Sequence, residues 1–205
     1  SESLSPYPDE AQMAFDTPIS GEIWSGKYRF MPTQGGGDAT VEDTWRRVAR
    51  AVAEAEEPEL RAPVEAEFYE ALRDHRFLPA GRIIAGAGTA RSVTLFNCFV
   101  MGVIPDDLGG IFEHVREAAL TLQQGGGVGM DFSSIRPAGA YVSGVAADAS
   151  GPLSFMDVWD AMCRTIMSAG QRRGAMMGCL RIDHPDIEAF IDAKREPGRF
   201  RNFNL

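Results

Sequence analysis

Four glycines lie close together in the stretch LQQGGGVGMDFSSIRPAG, residues 122–139. Glycine inside an element costs backbone entropy, so this stretch has a need for bare main chain. Two common phosphate motifs do not fit, because GxGxxG would require glycine where Met130 stands and a P-loop would require Gly-Lys-Ser/Thr after the run. Two explanations stay open, namely close approach of a ligand or another segment, and tight packing between a helix and a strand.

Cysteine and arginine side chains supply the other candidates for chemistry. Cys98 lies within the apolar run VTLFNCFVMGVI, where an isolated cysteine is more often a small core hydrophobe than a redox thiol. Arg136 follows FSSI, and Arg172 and Arg173 share a glycine-rich turn. Guanidinium groups suit phosphate, but solvated surface charges fit these positions as well.

The remaining cysteines and histidines give no metal or disulfide pattern. Cys163 and Cys179 are most simply core residues, and the three histidines are scattered along the chain. With three cysteines and no CxxC spacing, we expect neither a disulfide framework nor a zinc site, and no other metal site.

Composition limits the class of protein. The chain has 205 residues, enough for one or two domains, and 44% of them are hydrophobic. Its net charge of -9 argues against a nucleic-acid or membrane surface, since these require clustered Lys and Arg. We find no apolar run of about 18 residues and no signal peptide at the acidic N-terminus, so we expect a cytoplasmic protein.

Apolar spacing predicts helices alternating with strands. Helices are expected at 41–56 after the N-cap Thr40, around Val64–Phe68–Leu72, at 108–123 after Asp106 and Asp107, from Pro152, and after Pro185. Strands are expected at 93–104, buried on both faces, and at 128–132, 176–182 and the C-terminus. Segment 78–89 reads as irregular. Two apolar stripes are predicted on the later helices, one made of Ile111, Phe112, Val115, Ala119 and Leu122 and the other of Phe155, Val158, Met162 and Ile166. This order is an α/β pattern.

Several motifs occur together in a fixed order: FLPAGRIIAGAGT, LFNCFVMG, QQGGGVGMDFSSIRPAG, ADASGPLSFMDVWDAMCRTIMSAG, QRRGAMM, DHPDIEAFIDAK and RNFNL. Together they make residues 18–205 resemble the large catalytic chain of ribonucleotide reductases. The resemblance is strongest to the adenosylcobalamin-dependent class II type.

The resemblance implies a fold and a domain order. The fold would be the N-terminal part of the ten-stranded α/β barrel of ribonucleotide reductases. Residues 1–37 would be a partly loose extension, 38–92 a helical region, and 93–205 the first part of the barrel. Helices at 108–123 and 152–168 would form a dimer bundle, which implies a homodimer.

The resemblance also implies reduction of ribonucleotides to 2′-deoxyribonucleotides by a radical mechanism. In that family a thiyl radical takes the 3′ hydrogen, and a cysteine pair then reduces C2′ and is restored by a thiol reductant such as thioredoxin. Cys98 matches the first cysteine of that pair. Substrate contacts are implied for five residues: Gly81, Asn97, Cys98, Gly127 and Arg173. At Gly81 relatives often carry Ser or Thr.

A second site is implied for a dNTP effector that selects the base to be reduced. Asp106 matches the residue that holds the deoxyribose, and Arg136 matches a phosphate-binding arginine. Residues 137–151 and 170–177 match the two effector loops. Ser143 stands where some relatives carry another phosphate arginine.

The radical cysteine, the partner of Cys98 and most of the adenosylcobalamin-binding surface are expected beyond Leu205. The isolated chain is therefore predicted to be inactive. Two alternatives remain at this point: a nucleotide-binding or assembly module that needs a complementary C-terminal chain, and a non-functional remnant.

Overall fold

The computed structural model describes residues 15–90, 93–144, 147–166 and 174–205. The chain divides into two compact units, Ser1–Arg91 and Ser92–Leu205. Each unit has its own apolar core. Among the residues described, no helix has both the length and the apolar content that a bilayer crossing demands.

The first unit is helical. Its helices are α1 Pro18–Ile23, continued by a π-helical turn over Trp24–Tyr28, α2 Val41–Ala53, α3 Arg61–Leu72 and α4 Gly81–Gly86. Thr40 begins α2 with a capping box that it shares with Asp43, which confirms the predicted N-cap. The prediction of an irregular 78–89 is wrong in part, because Gly81 and Gly86 lie at the two ends of α4 and leave its interior free of glycine.

A buried ion pair links the segment before α2 to that helix. Asp38 is 4% exposed, and one of its carboxylate oxygens lies 2.8 Å from Nη2 of Arg47. Thr44 Oγ1 and the Phe30 N–H also donate to this carboxylate, at 2.8 and 3.0 Å. Trp24 in turn donates to the Thr44 hydroxyl. Residues near the N-terminus are thereby tied to the helical core.

The second unit is α/β. Its elements are β1 Cys98–Val100, α5 Leu108–Gln123, β2 Gly127–Asp131, β3 Tyr141–Val142, β4 Ala147–Asp148, α6 Gly151–Thr165, β5 Met176–Cys179, α7 Ile187–Asp192 and β6 Phe203–Asn204. The order β1-β2-β5-β6 forms a sheet in which every pairing is parallel. Strands β3 and β4 form a separate antiparallel hairpin.

One face of the sheet carries the core. The buried strand residues Val128, Met130, Met176 and Phe203 share a cluster with apolar residues of α5 and α6. The alternate strand residues Cys98, Val100, Met177, Cys179 and Asn204 are exposed. The sheet is therefore covered on one face and open on the other, within the residues described.

This arrangement corrects the prediction for 93–104. Only Cys98–Val100 forms a strand, and Val100 is 95% exposed. A continuous apolar run usually signals a strand buried on both faces, but composition does not reveal whether a second layer is present.

The apolar stripes are also partly wrong. On α6 the fully buried positions include Met156, Trp159 and Cys163, one residue away from the predicted Phe155, Val158 and Met162, which are only half-buried. On α5, Phe112 is 48% exposed. Both faces of α6 are apolar, so periodicity alone does not fix which face meets the sheet.

Candidate functional site

A pocket of about 270 Å³ lies on the open face of the sheet. Its floor is the glycine-rich strand β2, and β1 and β5 form its sides. The lining residues are Asn97, Cys98, Phe99, Val100, Gly125, Gly126, Gly127, Val128, Gly129, Gly174, Ala175, Met176, Met177 and Asn204.

Each glycine of the run has a different local role. Gly125 has φ +87° at the turn that follows α5, a conformation that favours glycine. A Cβ on Gly126 would lie 2.7 Å from the Phe99 ring. A Cβ on Gly127 would lie 3.3 Å from Sγ of Cys98 and 3.3 Å from the Ala175 carbonyl oxygen. Tight packing thus explains Gly126, and proximity to a thiol explains Gly127.

Cys98 is exposed at the edge of this pocket. Its strand neighbour in register is Gly127, whose N–H donates to the Asn97 carbonyl at 2.8 Å. The interpretation of Cys98 as a small core hydrophobe is therefore wrong. The structure brings Asn97, Cys98 and Gly127 together, three of the residues singled out from the sequence.

The other two cysteines differ from each other. Cys163 is 4% exposed, as expected of a core residue. Burial and the nearby Asp160 carboxylate raise the pKa of the Cys163 thiol to about 11. Cys179 is exposed, so its assignment to the core is wrong. In β5 the buried positions are Met176 and Gly178, and alternation places Cys179 on the open face.

Cys98 and Cys179 share a face but are far apart. Cys98 is in register with Gly127, and Cys179 is in register with Asp131, four positions further along β2. Their Cα atoms are therefore about 13 Å apart along the strands and about 10 Å apart across them. A disulfide needs Cα atoms within about 7 Å, so these two thiols do not pair with each other in this fold.

Asp106 and Arg136 form a second constellation in the same unit. Nε of Arg136 lies 2.7 Å from Oδ2 of Asp106, and the Arg136 N–H donates to Oδ1 at 3.1 Å. Arg136 Nη2 also donates to the Asp106 carbonyl. Both side chains are about one-third exposed. Asp106 therefore fixes the position of the Arg136 guanidinium through charge-assisted hydrogen bonds.

The remaining predicted site residues lie elsewhere. Ser143 lies in the turn between β3 and β4, exposed. Gly81 lies in the first unit at the start of α4, where a Cβ would lie 3.1 Å from the Tyr28 hydroxyl. Arg173, together with residues 170–172 of the 170–177 loop, falls outside the described residues.

Sequence reasoning missed several pocket residues. Met177 and Asn204 lie in one row across the sheet with Gly129 and, on β1, Val100. Strand alternation starting from Cys98 would have pointed to this row. Among the described parts of the chain, no three His, Cys, Asp or Glu side chains are grouped so that they could hold a metal ion.

The second unit is therefore an α/β domain with an exposed cysteine, Cys98, in a pocket lined by the glycines of β2. Comparison with known protein families shows which family has such a domain. Residues 96–205 match the family described as ribonucleotide reductase, barrel domain, and residues 14–92 match ribonucleotide reductase, all-alpha domain. The chain belongs to the ribonucleotide reductase family, which confirms the resemblance inferred from the motifs.

Curated relatives agree with the family match. The chain is 37% identical over 183 residues to a vitamin B12-dependent ribonucleoside-diphosphate reductase of Mycobacterium tuberculosis (strain CDC 1551 / Oshkosh), covering 87% of this chain and 26% of that protein. A relative of the same name in Thermoplasma acidophilum is 39% identical over 139 residues, which is 67% of this chain and 18% of that protein.

A relative without B12 in its name is also similar. The ribonucleoside-diphosphate reductase subunit alpha of Helicobacter pylori (strain 26695) is 34% identical over 132 residues, covering 64% of this chain and 16% of that protein. The chain thus spans about a quarter or less of the length of these relatives.

Proposed function

We propose that this chain is part of an enzyme that reduces ribonucleotides to 2′-deoxyribonucleotides, and that Cys98 is one of the two thiols that supply the electrons. The observation that carries the proposal is the exposed Cys98 thiol beside Gly127, in a pocket whose floor is bare main chain. The family membership and the names of the relatives support it.

The proposed overall step balances with two thiols. The C2′–OH bond of the ribose breaks, the oxygen leaves as water, and the carbon gains a hydrogen. The two electrons come from two thiols, which become one disulfide. Because Cys179 is too far from Cys98 to pair with it, the second thiol comes from outside these residues. A dithiol protein of the thioredoxin class would then restore both thiols.

The pocket would hold the sugar through main-chain and small side-chain groups. Asn97 offers an amide beside the thiol, and Gly127 leaves room for a ribose to approach the strand. Apolar side chains of Val100 and Met177 border the same space.

Adenosylcobalamin is the cofactor that the class II resemblance and the names of two relatives suggest. When bound it would supply the radical that starts the reaction. The pocket of about 270 Å³ in the described residues is small for a macrocycle. These residues therefore do not fit the cofactor, and we assign none of them to it.

We further propose that Asp106 and Arg136 bind a dNTP effector, with Ser143 and Arg173 in the two effector loops. The carboxylate of Asp106 suits a deoxyribose hydroxyl, and the Arg136 guanidinium suits a phosphate. The class II resemblance implies that α5 and α6 belong to a dimer bundle next to the effector site, so we propose a homodimer through these two helices.

The test compares two exposed thiols on one sheet face in the full-length protein. Cys98→Ser is expected to abolish multiple turnover of a ribonucleotide with a dithiol reductant, because the electron pair has no source. Cys179→Ser is the matched control and is expected to retain activity within threefold. Loss of activity in both variants, or in neither, would contradict the role of Cys98.

A further inference from the structure

The turn that precedes α7 contacts the segment around Arg136 at two points. His184 is 8% exposed, and its Nε2 lies 2.9 Å from the Ile135 carbonyl oxygen. Its Nδ1 lies 3.0 Å from the Asp186 N–H nitrogen. Because a carbonyl only accepts, Nε2 carries the proton, and Nδ1 accepts from Asp186. Both ring nitrogens of a neutral histidine are thereby used.

Asp186 makes the second contact. Its Oδ2 accepts from the Ala138 N–H at 3.0 Å. The same oxygen lies 2.9 Å from where a Cβ on Gly151 would be, and Gly151 has φ +80°. Ala138 stands near the start of the 137–151 loop and Gly151 stands at its end. One carboxylate oxygen therefore lies against both ends of this loop.

Arg136 lies between these two attachment points. His184 holds the carbonyl of Ile135 on one side, and Asp186 holds the N–H of Ala138 on the other. Beyond Ala138 the neck of the loop is closed by main-chain hydrogen bonds between residues 139–140 and 149. The guanidinium is then aimed by Asp106.

We infer that His184 and Asp186 form a clamp that positions Arg136 and the base of the 137–151 loop for the phosphates of a dNTP. The inference rests on the effector site proposed above. Both are positioning residues, since neither is required to touch the nucleotide. A phosphate needs donors fixed in place before it arrives, because ordering the loop on binding would cost affinity.

A matched pair of aspartates in one turn tests the clamp. Asp186→Ala removes the acceptor for Ala138, whereas Asp186→Asn retains an amide oxygen that can accept the same N–H. Asp183→Ala is the control, because Asp183 is exposed and pairs only with Arg181 among the described residues. Each variant is made in the full-length protein. The measurements are the Kd of dATP and of dTTP by calorimetry, and the ribonucleotide KM without effector.

Asp186→Ala is expected to raise the Kd of at least one dNTP tenfold or more, with the ribonucleotide KM within twofold. Asp186→Asn is expected to recover most of that loss, and Asp183→Ala to bind as the parent does. A general structural defect would instead raise Kd and KM together. A joint rise of Kd and KM in Asp186→Ala would overturn the clamp. An unchanged Kd in Asp186→Ala, or an equal loss of affinity in Asp183→Ala, would also overturn it.

A second variant covers the case in which Asp186→Ala does not fold. His184→Asn keeps an acceptor for the Asp186 N–H but is too short to reach Ile135, and it is expected to raise the dNTP Kd at least fivefold. An unchanged Kd overturns the clamp. If the parent protein binds no dNTP, both the proposed effector site and the clamp are wrong. If the parent binds a dNTP and the variant binds it equally well, only the clamp is wrong.

Discussion

At the scale of single residues, the three thiols sit in different surroundings. Cys98 and Cys179 are exposed, whereas Cys163 is buried with its pKa raised to about 11. Because the thiolate is the nucleophile, iodoacetamide at pH 8 is expected to modify Cys98 and Cys179 long before Cys163. Peptide mass spectrometry over time gives the order. Unfolding in urea should make the three rates similar, and early modification of Cys163 in the folded chain would contradict its burial.

Two glycines of β2 allow a sharper test of the pocket floor. A Cβ at Gly127 would meet both Cys98 Sγ and the Ala175 carbonyl at 3.3 Å, whereas at Gly129 the nearest atom would be 3.8 Å away. In the full-length protein, Gly127→Ala is expected to lower kcat/KM for the ribonucleotide at least tenfold, and Gly129→Ala to change it less than threefold. Equal effects of the two substitutions would show that crowding of Cys98 does not matter.

At the scale of elements, α6 is joined to the C-terminal strand by a buried carboxylate. Asp160 is 5% exposed and accepts from the Asn202 N–H and from its side-chain amide. Asp160→Ala removes the carboxylate acceptor of the Asn202 N–H, while the Asn202 amide keeps the main-chain carbonyl of residue 160; the expected cost is about 1–3 kcal/mol. Asp157→Ala, which breaks only the exposed pair with Arg199, is expected to cost about 0–1 kcal/mol. Urea unfolding measures both.

The Asp38–Arg47 pair makes the helical unit sensitive to acid. Burial alone would raise the pKa of Asp38, but hydrogen bonds from Arg47, Phe30 and Thr44 outweigh it and lower that pKa below its usual value. The ionised carboxylate therefore stabilises the fold above the unfolded pKa of about 3.9, and this contribution is lost as the pH falls through the lower, folded pKa.

Substituting Asp38 tests this account directly. Asp38→Asn leaves the Arg47 guanidinium, 10% exposed, with main-chain acceptors but without the carboxylate that balances its charge, and is expected to cost about 3–5 kcal/mol at pH 7. The difference in unfolding free energy from the parent should shrink as the pH falls below about 4. Glu65→Ala, which removes an exposed partner of Arg50, serves as the control with a cost of about 0–1 kcal/mol. A constant difference across this pH range would contradict the account.

Helix starts were the most predictable elements, since Thr40 and Asp107 carry the expected N-cap bonds in their own side chains. The faces of elements were less predictable. Val100 and Cys179 look like core residues by type, yet their exposure depends on whether another layer covers the sheet. Such information is not local to the sequence around them.

In the candidate site, too, some residues could be predicted from the sequence and others only from the tertiary structure. Motif resemblance pointed to Asn97, Cys98 and Gly127, which the structure places in one pocket. It did not point to His184 or Asp186, because their contacts reach about fifty residues back along the chain to Ile135 and Ala138. Only the tertiary structure brings those segments together.

At the scale of the whole molecule, the need for two thiols predicts that the isolated 205-residue chain is inactive. Cys179 lies too far from Cys98 for a disulfide, and Cys163 is buried in the core whereas Cys98 is exposed. The isolated chain is expected to form no internal disulfide on mild oxidation and no deoxyribonucleotide from a ribonucleotide with thiol and adenosylcobalamin. Intact mass and product chromatography are the measurements, with the full-length protein as positive control. Product from the isolated chain would contradict the two-thiol scheme.

The parallel sheet has a consequence for the time the chain takes to fold. No two neighbouring strands of β1-β2-β5-β6 are joined by a tight turn. β5 meets β2 only after everything between Asp131 and Met176 has been made and folded back, and that stretch contains the clamped loop and α6. Non-local pairing of this kind is slow because the entropy of loop closure comes before any gain from contacts. During synthesis the edge of β2 that pairs with β5 therefore stays without its partner strand until Met176–Cys179 has been made.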